Sequence, residues 1–457
     1  MALLVAMTSS FITPYMATSI NVALPTIGRE FGLNALGLSW VTTAYLLAAA
    51  VSLVPLGRIA DLHGRKRMFV GSLALYTVTA FLCARAPSAP LLIAFRALQG
   101  IGGGTIFGMS AAIVVSMYPQ AERGRALGII IACVYGSQAV SPLLGGLLTE
   151  YFGWRSIFMT TVPLAAATIA LTLWRLHGEW ASPHRERFDV PGACLYGAML
   201  IGLMYGLTRL PERAGVTLVL LGLAAAAAFV RWERSVAHPV LNVRLFLENR
   251  VYAFSNLAAL LNYSATYATA FLLSLYLQYV RGLSADRAGV ILLAQAVLQA
   301  ASSPFAGRLS DRVEPRWPAS IGMALTATGL FLLATIHDAT PASFIVGSLL
   351  VVGLGFGLFS SPNTNAVMSS VGPEIYGVAS NTLSTMRLVG QILSMGMVTL
   401  VFNTYLGGAT ITPELHAPFL AATHTAFGVF GTLCIIGMLA SLTRGGLHSP
   451  ARTVAGS

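Results

Sequence analysis

Fourteen runs of mostly apolar residues follow one another along this 457-residue chain, each near the ~20 residues that cross a bilayer as a helix. Only short polar segments separate them, which leaves no room for a separate water-soluble domain. Charged residues make up 9% of the chain, against about 25% in soluble domains. The sequence therefore predicts an all-α polytopic membrane protein. The predicted spans are residues 3–26, 36–56, 68–86, 90–117, 126–149, 156–174, 191–210, 214–231, 251–280, 287–306, 318–336, 341–367, 376–402 and 420–443.

The net charge of +11 follows the predicted topology. Eighteen of the 27 Lys and Arg residues fall after even-numbered runs or in the C-terminal tail, and seven fall on the other side. By the positive-inside rule both termini are predicted to be cytoplasmic, in a plasma (bacterial inner) membrane. The basic residues are scattered, and all but Lys66 are Arg, so nucleic-acid binding is not indicated. The first run lacks the basic start of a signal peptide and is expected to be a membrane helix.

An internal repeat divides the chain into two related halves. The sequence GRIADLHGRKR at 57–67 returns as GRLSDRVEPRW at 307–317, so Gly57 and Asp61 correspond to Gly307 and Asp311. Glycine pairs at 104/108 and 353/357 repeat as well and predict close helix packing. Such duplication is typical of secondary transporters, whose substrate site lies between the halves.

The repeat also predicts the domain boundaries. We expect an N-terminal six-helix bundle at 1–187 and a C-terminal six-helix bundle at 251–443, followed by a cytoplasmic tail at 444–457. Residues 188–250 would hold two inserted transmembrane helices and an amphipathic linker. The inserted helices are rich in Gly, Ala and Leu, so we expect them to be peripheral and to face lipid.

Several motifs together resemble the major facilitator superfamily, specifically its fourteen-span drug:proton antiporter group. They are the loop motif G-x-x-x-D-x-x-G-R-K (Gly57, Asp61, Gly64, Arg65, Lys66), R-x-x-Q-G (Arg96, Gln99, Gly100), P-x-x-G-G of the fifth span (Pro142, Gly145, Gly146) and GWR-x-IF at 153–158. The resemblance implies two six-helix bundles plus two inserted helices, and export driven by the proton gradient. It also implies that Asp61 and Arg65 latch the cytoplasmic side, with Gly307 and Asp311 as a weaker second latch. One departure matters, because Met16 stands where the group usually carries an acidic residue.

Two arginines lie inside predicted spans, where an insertion cost of about 3 kcal/mol makes each a functional candidate. Arg96 pairs with Gln99 at i, i+3 and Arg387 with Gln391 at i, i+4, so each pair shares a helix face. We expect both pairs to line or brace a central cavity; the alternative is that each Arg snorkels or only braces neighbouring helices. Further candidates for the substrate or proton pathway, each of which could instead be a helix–helix contact, are Asn21, Tyr45, Asn256, Tyr263 and Asn363.

Carboxylates are missing from the middle of every predicted span, since all sixteen Asp and Glu fall in loops or near span ends. Either the proton-coupling group lies near a cavity mouth, with Glu150 and His424 as candidates, or the protein is not an ordinary cation and proton exchanger. A cavity with two Arg and no acid would favour neutral or anionic substrates over lipophilic cations.

The sequence thus predicts a secondary active exporter of small, lipophilic molecules by alternating access, of the multidrug efflux type. The alternative is an exporter or facilitator of one neutral or anionic metabolite. A membrane enzyme is disfavoured because no zinc, nucleophile-elbow or phosphate-loop motif is present. We therefore expect no metal, no cofactor and no ATP, with the small-molecule substrate and the lipid bilayer as partners of a monomer.

Overall fold

A computed structural model describes residues 2–117, 120–176, 188–236, 239–372 and 375–445, and α-helices dominate these ranges. The first half contains α1 (Ala2–Phe31), α2 (Ala35–His63), α3 (Arg65–Ala84), α4 (Ala89–Met117), α5 (Gln120–Phe152) and α6 (Arg155–Arg175). The middle contains α7 (Val190–Arg209), α8 (Arg213–Glu233) and the short α9 (Arg244–Glu248). The second half contains α10 (Arg250–Thr266), α11 (Thr269–Leu275), α12 (Ala285–Ser310), α13 (Arg316–Leu333), α14 (Ala342–Ser369), α15 (Tyr376–Leu406) and α16 (His416–Thr443).

The helices account for the fourteen predicted spans. Thirteen helical segments in the described part of the chain are long and apolar enough to cross a membrane, with α10 and α11 counting as one. The remaining run is α13, which has only 18 residues and begins with Arg316 and Trp317. It packs against α14 and α16 as a member of the second bundle. The prediction of an all-α polytopic membrane protein is confirmed.

The two halves repeat their internal packing as well as their sequence. In the first half a Cβ at Gly104 of α4 would collide with the carbonyl oxygen of Ala49 in α2. In the second half a Cβ at Gly353 of α14 would collide with the carbonyl oxygen of Gln295 in α12. The small residues therefore let the same pair of helices approach closely in each half, as their spacing predicted.

The predicted span 251–280 is broken near its middle. Helix α10 ends at Thr266, α11 begins at Thr269, and a π-helical turn occupies Tyr276–Val280. The hydroxyl of Ser394 on α15 accepts a hydrogen bond from the backbone N–H of Ala268 at 3.1 Å. This contact pairs a backbone donor at the break, as a membrane interior requires.

The inserted helices are only partly peripheral, so that expectation is wrong for α7. The Tyr196 hydroxyl donates to the Ala50 carbonyl of α2 at 3.1 Å. At the other end of α7, the Asn403 amide of α15 donates to the Leu210 carbonyl. Helix α7 therefore contacts both halves, whereas most of α8 is exposed. Gly, Ala and Leu serve lipid and helix contacts equally well, which is why composition did not separate the two helices.

The segment after α8 also differs from the predicted amphipathic helix. Within its described residues only α9 is helical, over five residues. The backbone N–H of Leu241 donates to the Glu233 carboxylate at 2.8 Å instead of to a helical carbonyl. This hydrogen bond ties Leu241 of the linker to the end of α8.

The two halves contact each other on the side of the molecule opposite the chain termini. The Asn34 amide donates to the Gly408 carbonyl at 2.8 Å, and the Gln278 amide donates to the Val22 carbonyl at 2.8 Å. On the same side, the Glu150 carboxylate accepts from the N–H of Ala285 at 3.2 Å. These hydrogen bonds hold the halves together on that side.

The fifth-span motif contributes to this contact through its small residues. A Cβ at Gly145 would come within 2.7 Å of the Ser19 carbonyl oxygen of α1, and one at Gly146 within 2.5 Å of the Ala285 carbonyl oxygen of α12. The carbonyl oxygen of Pro142 blocks a Cβ at Gly289 in the same way. Helix α5 thus packs closely against its own half and against the other.

Candidate substrate cavity and loop motif

A cavity lies at mid-height between the two halves. It has a volume of about 70 Å³, and the empty space among its lining residues, counted together with space that is open to the outside, is about 670 Å³. Helices α1, α2, α4 and α5 line it from one half, and α10, α15 and the α10–α11 break line it from the other. Its polar lining residues are Thr13, Thr18, Tyr45, Tyr135, Gln138, Tyr263, Tyr267, Arg387 and Gln391.

Arg387 provides the positive charge of this cavity. Its Nη2 donates to Thr364 Oγ1 at 2.8 Å, and its Cζ lies 5.6 Å from the ring centroid of Tyr263. The buried Nε of Arg387 has no hydrogen-bond partner in the structure. Gln391, one turn further along α15, lines the same wall. This pair of side chains can therefore offer N–H donors to a bound molecule.

Tyrosines form an aromatic wall that crosses the boundary between the halves. Tyr135 of α5 clusters with Tyr263 of α10 and Phe356 of α14, and its hydroxyl is hydrogen-bonded to that of Ser360. Tyr267 donates from its hydroxyl to the Ala17 carbonyl at 3.2 Å. Tyr135 is not among the candidates predicted from the sequence. It precedes Gln138 by three residues and therefore shares a helix face with that polar side chain, which could have indicated a place at the cavity.

Arg96 lies behind the cavity wall and does not line the cavity. It is fully buried, with Cζ 4.3 Å from the ring centroid of Tyr45. Its Nε donates to the Val41 carbonyl at 3.2 Å, and its Nη1 donates to Gln99 Oε1 at 2.6 Å. Arg96 and Gln99 thus support Tyr45 from behind, which is the bracing arrangement that the sequence analysis left open.

Among the described residues that line the cavity, none is acidic. Met16, at the position of the family's usual acid, is fully buried in the core of the first half. Glu150 lies at the contact opposite the termini, and His424 is hydrogen-bonded through Nε2 to the Ile336 carbonyl. Neither of these two proton-coupling candidates lies at the cavity.

Two of the three predicted asparagines lie away from the cavity lining. Asn21 accepts from the Thr42 hydroxyl at 3.2 Å, which joins α1 to α2. Asn256 donates to the carbonyl of Tyr252 within its own helix at 2.9 Å. Asn256 is therefore not brought together with Tyr263 at the cavity, although helical spacing placed both on one face.

The third, Asn363, belongs to a buried polar group near the end of α16. Its Nδ2 donates to the Ser255 carbonyl at 3.1 Å, and its Oδ1 accepts from Arg444 Nη1 at 3.3 Å. Burial lowers the pKa of Arg444 to about 10, so this guanidinium remains charged at neutral pH. In the sequence Arg444 is only one of the basic residues that support the predicted topology.

The loop motif forms a tight connection between α2 and α3. Gly64 has a φ of +113°, a conformation that favours glycine, and its N–H donates to the Ala60 carbonyl. Arg65 Nε donates to Asp61 Oδ1 at 2.6 Å, so the latch pair forms an ion pair within one half. Lys66 is partly exposed, and a Cβ at Gly57 would meet no atom within 4 Å.

The second copy of the motif has the same location in the other half. Asp311 caps the end of α12, and a Cβ at Gly307 would lie 3.8 Å from Ser361 Cβ. Nearby, the Asn365 amide donates to the Ser310 hydroxyl at 3.0 Å and ties α14 to this end of α12.

Known proteins resemble this chain over most of its length. The family model described as Major Facilitator Superfamily matches residues 6–395 and again 255–455. "Multidrug resistance protein Stp" of Mycobacterium tuberculosis is 33% identical, over 87% of this chain and 75% of that protein. "Cephamycin export protein CmcT" of Amycolatopsis lactamdurans is 33% identical, over 89% of this chain and 86% of that protein.

Solved structures agree on the fold. The crystal structure of an autoinhibited POT family peptide transporter matches 98% of this chain and 99% of its own, with a TM-score of 0.71 at 16% identity. The duplicated bundles with a cavity between them are the expected arrangement of a secondary transporter. The chain is an integral membrane transporter that belongs to the Major Facilitator Superfamily.

Proposed function

We propose that this protein exports small, partly apolar molecules that are neutral or anionic, by alternating access between its two halves. The observation that carries this proposal is the composition of the cavity wall. Arg387 and four tyrosines line the cavity, the buried Nε of Arg387 has no hydrogen-bond partner, and no acidic residue is among the described lining residues.

The electrostatics of the cavity favour these substrates. An Arg at mid-membrane depth creates a positive potential that water screens weakly. A lipophilic cation would meet this potential without a compensating carboxylate, whereas an anion or a neutral molecule with hydrogen-bond acceptors would gain N–H donors. Tyrosine rings add broad apolar contacts that tolerate different shapes. A mixed wall of this kind suits a transporter of several aromatic compounds.

The export direction is supported by the relatives. Stp is named as a multidrug resistance protein and CmcT as a cephamycin export protein, and each match extends over most of this chain. On this basis we assign the protein to the efflux type and, by its motifs, to the fourteen-span drug:proton antiporter group. Both termini, and the Asp61 loop on the same side, would be cytoplasmic.

The test is uptake into proteoliposomes that contain the purified transporter, with aromatic dyes of similar size that are anionic, neutral or cationic. Arg387→Gln removes the charge in the cavity, and Arg250→Gln removes an exposed charge from the start of α10 as a matched control. We expect Arg387→Gln to reduce anion transport about tenfold or more, as loss of one charge-assisted hydrogen bond implies. Neutral dyes should be affected less.

Two results would count against the proposal. One is strong transport of cations alone by the native protein. The other is an anion flux that Arg387→Gln and Arg250→Gln lower equally, because the cavity charge would then have no special part. An imposed pH gradient in the same vesicles tests the driving force, which we expect to be the proton gradient.

A further inference from the structure

The termini-side ends of the inserted helices bring two carboxylates together in a buried position. Asp189 lies immediately before α7 and Glu233 is the last residue of α8. Asp189 is 8% exposed and Glu233 is 1% exposed. A Cβ at Gly192, in the first turn of α7, would stand 2.5 Å from Glu233 Oε1 and closer still to Asp189 Oδ2. One oxygen of each carboxylate is therefore directed at the same small space.

Donors lie within hydrogen-bonding distance of three of the four carboxylate oxygens of this pair. Asp189 Oδ1 accepts from the Gly192 N–H at 3.0 Å and from Trp232 Nε1 at 2.9 Å. Trp232 Nε1 also lies 3.2 Å from Asp189 Oδ2. Glu233 Oε2 accepts from the Leu241 N–H at 2.8 Å. The exception is Glu233 Oε1, which is buried and has no hydrogen-bond partner.

The charged groups around this pair do not neutralise it directly. Among the residues that the structure describes, Asp189, just before α7, is the charged group that faces Glu233, and it repels a second negative charge. On α8 itself Arg231 and Arg234 are exposed. Arg244 of α9 is directed at the backbone, where its Nη2 donates to the Arg234 carbonyl at 3.1 Å.

Helix α2, which packs against α7, carries Arg58 near the same end, and Arg58 makes an interaction of its own. Two adjacent buried carboxylates that no cation among the described residues separates cannot both stay ionised at low cost. A carboxyl group that holds a proton, in contrast, donates a hydrogen bond and repels its neighbour less.

We propose that Asp189 and Glu233 together bind one proton, held between Asp189 Oδ2 and Glu233 Oε1 at the base of the inserted helices. The proton gives the partner-free Oε1 a hydrogen bond and removes the repulsion between the two groups. The site also lies where it contacts connecting segments, since Glu233 is hydrogen-bonded to Leu241 of the linker and α7 contacts both halves. No acidic residue is among the described lining residues of the cavity, but a proton-binding pair is thus present at the base of the inserted helices. This assignment does not depend on which molecule is transported.

The test measures the proton itself. Infrared difference spectra of the purified, lipid-reconstituted protein, recorded between acidic and alkaline buffer, report the C=O stretch of a protonated carboxyl group that is lost as the pH rises. We expect one such band in the native protein, its loss in Glu233→Gln, and its loss or displacement in Asp189→Asn. Glu212→Gln, which changes an exposed carboxylate at the other end of the same helix pair, should keep the band.

Thermal unfolding provides a second measurement on the same samples. A proton that binds only the folded protein stabilises it, so the melting temperature of the native protein should fall as the pH rises through the titration of the site. Glu233→Gln has the shape of the protonated acid and should fold, with a smaller fall over that pH range. An unchanged band and an unchanged pH profile in Glu233→Gln would overturn the proposal. So would stabilisation by Na⁺ in place of protons, which would identify a metal cation as the ligand.

Discussion

The guanidinium of Arg96 stacks on the ring of Tyr45, with 4.3 Å between Cζ and the ring centroid, and Tyr45 is the one of the two that faces the cavity. The arginine acts on the cavity through the tyrosine. Its hydrogen bonds to the Val41 carbonyl and to Gln99 fix its plane. The buried Arg96 therefore determines the position of Tyr45, which lines the cavity and can contact substrate.

Replacing Arg96 by Met should damage both stability and transport. The change leaves Gln99 Oε1 buried without its donor, at about 1–3 kcal/mol, and removes the contact between the guanidinium and the Tyr45 ring. Arg96→Lys keeps the charge but not the planar fork, so it should rescue only part of the loss. Thermal unfolding and dye transport in proteoliposomes measure the two effects. Arg85→Met, which alters an exposed arginine near Phe81, is the matched control, and equal effects of the two Met variants would contradict this role of Arg96.

Asp61→Asn should reduce transport severalfold while the protein stays nearly as stable. The Asp61–Arg65 ion pair is roughly a quarter exposed, and such pairs contribute only about 0–1 kcal/mol to stability. If the loop is a latch that forms and breaks during the cycle, the loss appears in the transport rate and not in the melting temperature.

Glu30→Gln provides the comparison for Asp61. It removes a second partly exposed ion pair of the first half, which Glu30 forms with Arg155 on the side opposite the termini. The two variants should have similar stability, and Asp61→Asn should transport more slowly. Unchanged transport in Asp61→Asn would mean that the loop serves only as an anchor at the membrane surface.

The repeat and the packing glycines could be predicted because their signals are local. The spacing of Gly104 and Gly108 and its return at Gly353 and Gly357 predict close approach, whatever the partner helix is. The glycine and charge pattern of the loop likewise predicts the tight connection at Gly64. Such features follow from chain geometry over a few residues.

The cavity could be predicted only in part, because it depends on helix rotation. Arg96 and Arg387 carry the same sequence signal, an arginine with a glutamine one turn away, yet only Arg387 reaches the cavity. Asn256 and Tyr263 share a predicted face, but only Tyr263 lines the cavity. A face of a membrane helix can contact lipid, a neighbouring helix or the cavity. Tertiary packing decides which of these it contacts, and the polarity of the residues alone does not predict it.

Helix α14 packs closely against α12 at Gly353 but has free space around Gly347. A change to alanine should therefore have opposite effects on stability at these two positions. In Gly353→Ala the new methyl group meets the Gln295 backbone, which cannot move aside, and overpacking of this kind costs about 1–3 kcal/mol. In Gly347→Ala the methyl group meets no atom within 4 Å, so helix propensity should stabilise by about 0.5–1 kcal/mol. Melting temperatures in detergent should therefore move in opposite directions. A Gly353→Ala protein as stable as the native one would mean that α12 and α14 are further apart.

Alternating access predicts that fixing α2 to α15 stops transport. Ser39 and Thr399 lie on these two helices, in different halves, with their hydroxyl oxygens 3.0 Å apart. Ser9 and Ser110 are equally close, 2.9 Å apart, but lie on α1 and α4 within one half. Each pair can be replaced by two cysteines, whose side chains need only small rotations to reach the length of a disulfide. The native cysteines would first be changed to alanine, at Cys83, Cys133, Cys194 and Cys434.

Oxidation should cross-link both double-cysteine proteins, but only the Ser39/Thr399 pair should lose transport, and reduction should restore it. The bond across the halves holds them together on the side opposite the termini, as in this structure, and so prevents opening there. The bond within one half joins helices that move as one body. Gel mobility of a protein cleaved between the halves reports the inter-half bond, and dye flux reports function. Continued transport by the fully cross-linked Ser39/Thr399 protein would contradict rocking of the two halves about the central cavity.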